Sequence, residues 1–266
     1  MTIMLSDLVS YRVLGDAAVK AEFTEAHCRR LAGWFNAAGE FIHYGTPPST
    51  RERLWNCMSL LAHGDLAYRA LAEQIILKTP ADHNHFEPIA AAEVHVRFRD
   101  ILSEQTLAHL QQIVADHLVN LIEVRFGGPG TNNFTCMTTW FLLAASQVLE
   151  RYPFPHQFAS IPEVYTRDRI KTMGLNALHA LAHHAEHEPV FREFNSPTYS
   201  PISVHAMAKI VEMIDDAQAK ELALSIEAKL WRELLTFYHP ELSVSCGPFS
   251  RSYRGDILGQ NTQMRM

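Results

Sequence analysis

Two short stretches concentrate side chains able to do chemistry. E-F-N-S-P-T-Y runs from Glu193 to Tyr199, and G-P-F-S-R-S-Y runs from Gly247 to Tyr253. Between them they hold a carboxylate (Glu193), an amide (Asn195), two phenols (Tyr199 and Tyr253) and a guanidinium (Arg251). Pro197 and Pro248 stiffen the backbone around these groups, which suits the positioning of side chains. A third stretch, G-G-P-G-T-N-N-F (Gly127–Phe134), brings the amides Asn132 and Asn133 to a helix start. One of the two can cap that helix, which leaves the other to bind. Such groups suit removal of a proton alpha to a carboxylate. Amide and guanidinium donors neutralise the acid as negative charge develops. A Tyr or His takes the proton, and a second hydroxyl protonates the leaving oxygen. The bland roles are a turn former for Asn195 and half-buried packing for the two tyrosines.

A fourth stretch, H-A-L-A-H-H-A-E-H-E-P, places His179, His183, His184, Glu186, His187 and Glu188 within ten positions. His179 and His183 share a helix face, and His183 and His187 repeat the spacing. Histidines at i, i+4 are one way to hold zinc, but the metalloprotease order H-E-x-x-H is not met. A polar helix end is the simpler reading, since His near a helix C-terminus complements the macrodipole. No metal site and no cofactor are expected. Asp82-His83-Asn84-His85 has ligand-type side chains but reads equally well as a solvated loop. The Walker pattern is likewise unmet at Gly127–Phe134, because no Lys-Ser/Thr follows the glycines.

Four dispersed cysteines (Cys28, Cys57, Cys136 and Cys246) form neither a zinc ribbon nor a disulfide framework and read as buried thiols. A hydrophobic content of 47% and a charged content of 20% belong to an ordinary globular chain. The formal net charge of -6 argues against a general nucleic-acid binder. The opening M-T-I-M-L-S-D-L-V-S-Y-R-V-L-G-D lacks the layout of a secretory leader, and no stretch is apolar enough to span a bilayer. The expectation is a cytoplasmic protein with no membrane or nucleic-acid partner. Its oligomeric state is not legible.

The elements that must position these groups read as helix after helix. The pattern predicts helices over Asp16–Ala38, Ser49–Leu77, Ile101–Phe126, Thr131 or Asn132 to about Arg151, about Pro162 to His187, Ser203–Met213 and Ala217–Tyr238. Only Ala92–Phe98 (A-E-V-H-V-R-F) alternates like a strand. The reading is a single all-α domain over 1–266, built of helical hairpins that form an α/α toroid or partial toroid. A six-hairpin ring needs about twelve helices, more than are visible, and the ending Gly259–Met266 fits a piece of a longer protein. Trp140, Phe141 and Trp231 are expected in the core.

N-N-F-T-C-M-T-T-W resembles the Asn-Asn-His-x-x-x-Trp type of segment in α/α-toroid polysaccharide lyases, the group of the alginate and chondroitin lyases. The stretches carrying Tyr199, Arg251 and Tyr253 resemble the Tyr and Arg contributors of such sites. They are also similar to segments of uncharacterised microbial and fungal toroid proteins. The resemblance covers scattered patches of Gly130–Asp256. It implies a lyase that cleaves a uronate-containing oligo- or polysaccharide by β-elimination. Asn132 or Asn133 would neutralise the uronate with Arg251, Glu193 and Asn195 would help bind substrate, and Tyr199 or Tyr253 would act as base or acid. The chain departs from the pattern at Phe134, where lyases place His, and His205 is the candidate substitute. Two alternatives stand beside it, with a metal-dependent hydrolase ranked after both. One is a glycoside hydrolase using Glu193 with Asp256 or Glu163. The other is a non-catalytic helical protein that binds a ligand or partner.

Overall fold

The computed structural model describes residues 17–80, 86–125, 132–149, 161, 164–241, 244–250 and 252. The fold is all-α. The described helices are α1 (Ala17–Ala32), α2 (Thr50–His63), α3 (Leu66–Leu77), α4 (Glu87–Phe98), α5 (Glu104–Asn120), α6 (Asn132–Val148), α7 (Arg167–His187), α8 (Tyr199–Met213) and α9 (Ala217–Thr236). A π-turn, Leu121–Arg125, extends α5, and β1 (Tyr238–His239) pairs antiparallel with β2 (Val244–Ser245). Among the described residues no helix is long and apolar enough to cross a membrane. The chain divides into two compact units, Met1–Leu110 and Gln111–Met266, and the division falls within α5.

In the first unit α2 packs against α1, α3 and α4. The sequence reading of one helix over Ser49–Leu77 gives way to two. Gly64 closes α2 in the left-handed region (φ 84°), and Asp65 opens α3 by accepting from the N–H groups of Ala67 and Tyr68. Helix α1 likewise stops at Ala32. Trp34 and Phe35 lie beyond it in a turn that returns at a Phe35–Phe41 bridge. Gly39 is required in that turn: its φ is 76°, and a Cβ would stand 2.5 Å from the Gln74 backbone.

The stretch Ala92–Phe98 is not a strand but the second half of α4. Glu87–His95 and Phe98 are buried, including the polar Glu87, Glu93 and His95, and only Arg97 is exposed, so the sequence carries no clear amphipathic stripe. Pro88 in the first turn and the run Ala90–Ala92 favour helix over the seven-residue alternation.

In the second unit α6 packs on α7 and α8, and α9 closes against the same two helices. Gly174 of α7 lets α6 approach closely: a Cβ there would stand 2.9 Å from the Leu143 side chain. The core includes Trp140 and Phe141 as expected, but Trp231 is 46% exposed on α9. Cys28, Cys57 and Cys136 are buried free thiols, and Cys246 is half-buried.

Candidate functional site

The segment between α7 and α8, residues 188–198, has no regular structure, yet Phe191, Glu193 and Asn195–Pro197 are buried. A buried irregular segment must satisfy its backbone polar groups from elsewhere. Two α9 side chains supply part of this. Glu233 accepts the N–H of Phe191 at 3.0 Å, and Lys229 Nζ donates to the carbonyl of Pro189 at 2.6 Å. Burial pushes the Glu233 carboxyl above the ordinary carboxylate value. The Phe191 N–H and the charge of Lys229 pull it back only in part.

Glu193 crosses to α6, where its Oε2 accepts the N–H of Asn133 at 2.9 Å. The first turn of a helix has N–H groups with no intrahelical acceptor, and the macrodipole there favours an anion. Glu193 supplies both while only 6% exposed. Two serines of α8 finish the turn. Ser200 Oγ donates to the carbonyl of Glu193 at 3.0 Å and accepts the N–H of Ser196 at 3.0 Å. Ser203 Oγ donates to the Tyr199 carbonyl at 3.2 Å and also bonds the thiol of Cys136. Burial first, and the nearby Glu193 charge to a lesser extent, push that thiol up to about 12, so Cys136 is an inert, protonated group.

Asn195 joins the two stretches singled out in the sequence. Its φ is 47°, a left-handed conformation that Asn tolerates better than most residues. From there Nδ2 donates to the carbonyls of Cys246 at 2.6 Å and Pro248 at 2.9 Å. The tail answers with Ser250, whose Oγ donates to the Phe194 carbonyl at 2.6 Å. The β1–β2 pairing and a bond from the Cys246 N–H to the Phe237 carbonyl (2.7 Å) bring the tail to this point. We refer to this set of bonds as the clasp.

The candidate residues therefore divide. Asn133, Glu193 and Asn195 belong to one connected arrangement with the start of α8. Tyr199 is half-buried and is the first residue of α8, not a loop residue. The helix starts four residues before the expected Ser203 because Pro201 falls in its first turn, where no N–H is needed. His205 is exposed, and six residues of helix turn it about 240° away from Tyr199, so the two are not on one face. Arg251, Tyr253, the side chain of Asn132, Glu163, Asp256 and residues 82–85 lie outside the described residues. Among the described residues no group of three or more His, Cys, Asp or Glu is arranged to hold a metal.

Sequence reasoning missed Ser200, Ser203 and Lys209. The buried Lys209 places Nζ 5.0 Å from the centre of the Trp140 ring, a desolvated cation–π contact. The buried polar atoms with no hydrogen-bond partner among the described residues include Asn133 Oδ1, Trp140 Nε1 and, in the clasp, Asn195 Oδ1. Asn133 and Trp140 lie seven residues apart, on one stripe of α6 with Cys136 between them. The serines carried a faint signal, a 196–200–203 spacing that suits capping and back-bonding at a helix start.

Residues 167–264 match the model of a family described as Domain of unknown function (DUF8769), a span that begins with α7 and contains both stretches of the clasp. No curated protein and no solved structure matches the chain.

Proposed function

We propose that the chain is a carbohydrate-active enzyme that cleaves a uronate-containing oligo- or polysaccharide by β-elimination, on an α/α-toroid-like scaffold and in the cytoplasm. The observation that carries this reading is the pair of hydrogen bonds from Asn195 Nδ2 to the Cys246 and Pro248 carbonyls. It ties the stretch holding Tyr199 to the stretch whose sequence continues into Arg251 and Tyr253, the residues that the resemblance to toroid lyases singles out.

In this reading Arg251 and an amide of the Asn132–Asn133 pair neutralise the uronate carboxylate. Asn133 is buried. One tyrosine removes the proton alpha to the carboxylate. The electrons of that C–H bond form the carbon–carbon double bond as the bond to the leaving oxygen breaks, and the other phenol protonates that oxygen. Glu193 and Asn195 act as positioning residues, holding the start of α6 and the tail.

The test is ultraviolet absorbance of the protein incubated with a panel of uronate polysaccharides, which reports the unsaturated product. A signal that rises with the native chain and is lost in Tyr199→Phe, Arg251→Ala or Tyr253→Phe supports the reading. Activity retained in all three variants removes these stretches from the site. A second reading, a non-catalytic ligand-binding protein, draws on the same loop. Glu193 and Asn195 spend polar atoms on backbone groups, as a structural brace does. A flat absorbance trace, with saturable polysaccharide binding by calorimetry, would select it.

A further inference from the structure

The last turn of α7 carries an arrangement that the clasp does not use. His183 and His187 are exposed, with ring centroids 4.0 Å apart and ring planes inclined at 36°. Nδ1 of His187 lies 2.8 Å from the His183 carbonyl. A carbonyl only accepts, so this nitrogen carries a proton, and in the neutral ring Nε2 is then the one with the lone pair. A backbone carbonyl that fixes the tautomer in this way is the usual outer partner of a metal-ligating histidine.

We propose that His183 and His187 form a two-imidazole chelate for a divalent transition metal of the Cu²⁺, Ni²⁺ or Zn²⁺ kind. With metal–nitrogen bonds of about 2.0–2.1 Å, the two ligating nitrogens must stand roughly 3 Å apart. Side chains at i and i+4 share a helix face, and turning the His183 ring, with the His187–carbonyl bond kept, is the movement that would bring the two nitrogens together. Imidazole nitrogen selects these ions over calcium and magnesium, which require oxygen. The C-terminal end of the helix macrodipole adds a favourable field for a cation.

Two neighbours take no part. His179, a turn earlier, has its Nε2 3.3 Å from the Gln218 side-chain amide, and His184 packs its ring on Phe191 with centroids 5.2 Å apart. With no third described His, Cys, Asp or Glu arranged to join the pair, water completes the shell, and binding is weaker than in a closed four-ligand site. The chelate bridges the turn that the bond from the Glu188 N–H to the His184 carbonyl closes (2.9 Å), and residues 188–198 start from that turn. Metal therefore stiffens the root of the clasp.

The experiment is calorimetric titration of Cu²⁺, and separately of Zn²⁺, into the chelator-stripped full chain, paired with hydrogen exchange. The expected result is one equivalent bound and slower exchange over residues 184–190. Affinity falls at least about tenfold in His183→Ala and in His187→Ala and is unchanged in His179→Ala. Circular dichroism of each variant verifies that helix content is retained. Absence of binding overturns the proposal. So does binding that survives both substitutions, which would place the ion elsewhere.

Discussion

At the start of α2, Glu52 reaches back three residues to accept the N–H of Ser49 at 2.8 Å and its hydroxyl at 2.6 Å. At the start of α6, Glu193 comes from sixty residues away to accept the N–H of Asn133 at 2.9 Å. Both carboxylates do the same physical work at a helix N-terminus. The first is exposed, and water stands ready to replace it. The second is 6% exposed, so nothing replaces it. A local cap sets where a helix begins. A remote, buried cap also fixes where two distant parts of the chain meet, and its loss is correspondingly more costly.

The largest expected effect follows from that contrast. Glu193→Ala leaves the buried Asn133 N–H without an acceptor and opens a gap beside Cys136. We expect a loss of about 3 kcal/mol in denaturant unfolding. Glu193→Gln keeps an oxygen acceptor and should retain most of that stability. Equal losses in the two variants would mean that the charge, and not the hydrogen bond, holds the start of α6.

Asn195→Ala comes next. It removes two bonds to the tail and sets Ala in a left-handed backbone, an expected cost of about 2–3 kcal/mol. Asn195→Gly restores the conformation without the bonds. Hydrogen exchange at residues 244–250 should rise in both. If it rises in neither, the clasp does not depend on Asn195. At the local end of the comparison, Ser49→Ala should cost about 1 kcal/mol and leave the second unit untouched.

The same contrast explains what the sequence discloses. Ser49 with Glu52 is a cap written within three residues of the helix it starts, and it is legible as such. The fold class followed from such signals and from the apolar rhythm of α5. The burial of nearly all of α4 blurred its period, so its end passed for a strand. The break at Gly64–Asp65 was present in the residues, but an unbroken apolar rhythm concealed it.

The clasp was half legible. Residue types drew attention to Glu193, Asn195 and the tail. No spacing rule connects Asn195 to a carbonyl 51 residues away or Glu193 to α6, because those contacts exist only once α6, α7 and α8 have packed. His205 failed for a simpler reason. A loop from Tyr199 to the expected helix start at Ser203 leaves it free to face Tyr199, whereas six residues of continuous helix do not.

The smallest expected effect separates the two kinds of carboxylate by the sign of their pH dependence. Bonds from Ser49 hold the Glu52 carboxyl below its ordinary value. Its stabilising contribution is present at neutral pH and is lost as pH falls through that lowered value. Glu233 runs the other way, because burial holds its carboxyl above the ordinary value. Between the unfolded and the raised folded pKa, the native state binds more protons than the unfolded one. Stability contributed through Glu233 is therefore greatest in acid and declines as pH rises through that window. Glu233→Gln keeps an acceptor for the Phe191 N–H and removes the charge, so it should flatten this decline and raise the midpoint slightly at neutral pH. Thermal unfolding of both proteins across mildly acidic to neutral pH measures it. A midpoint that instead drops at neutral pH would show that the ionised carboxylate, through the Phe191 N–H and Lys229, stabilises the buried loop by more than its desolvation costs.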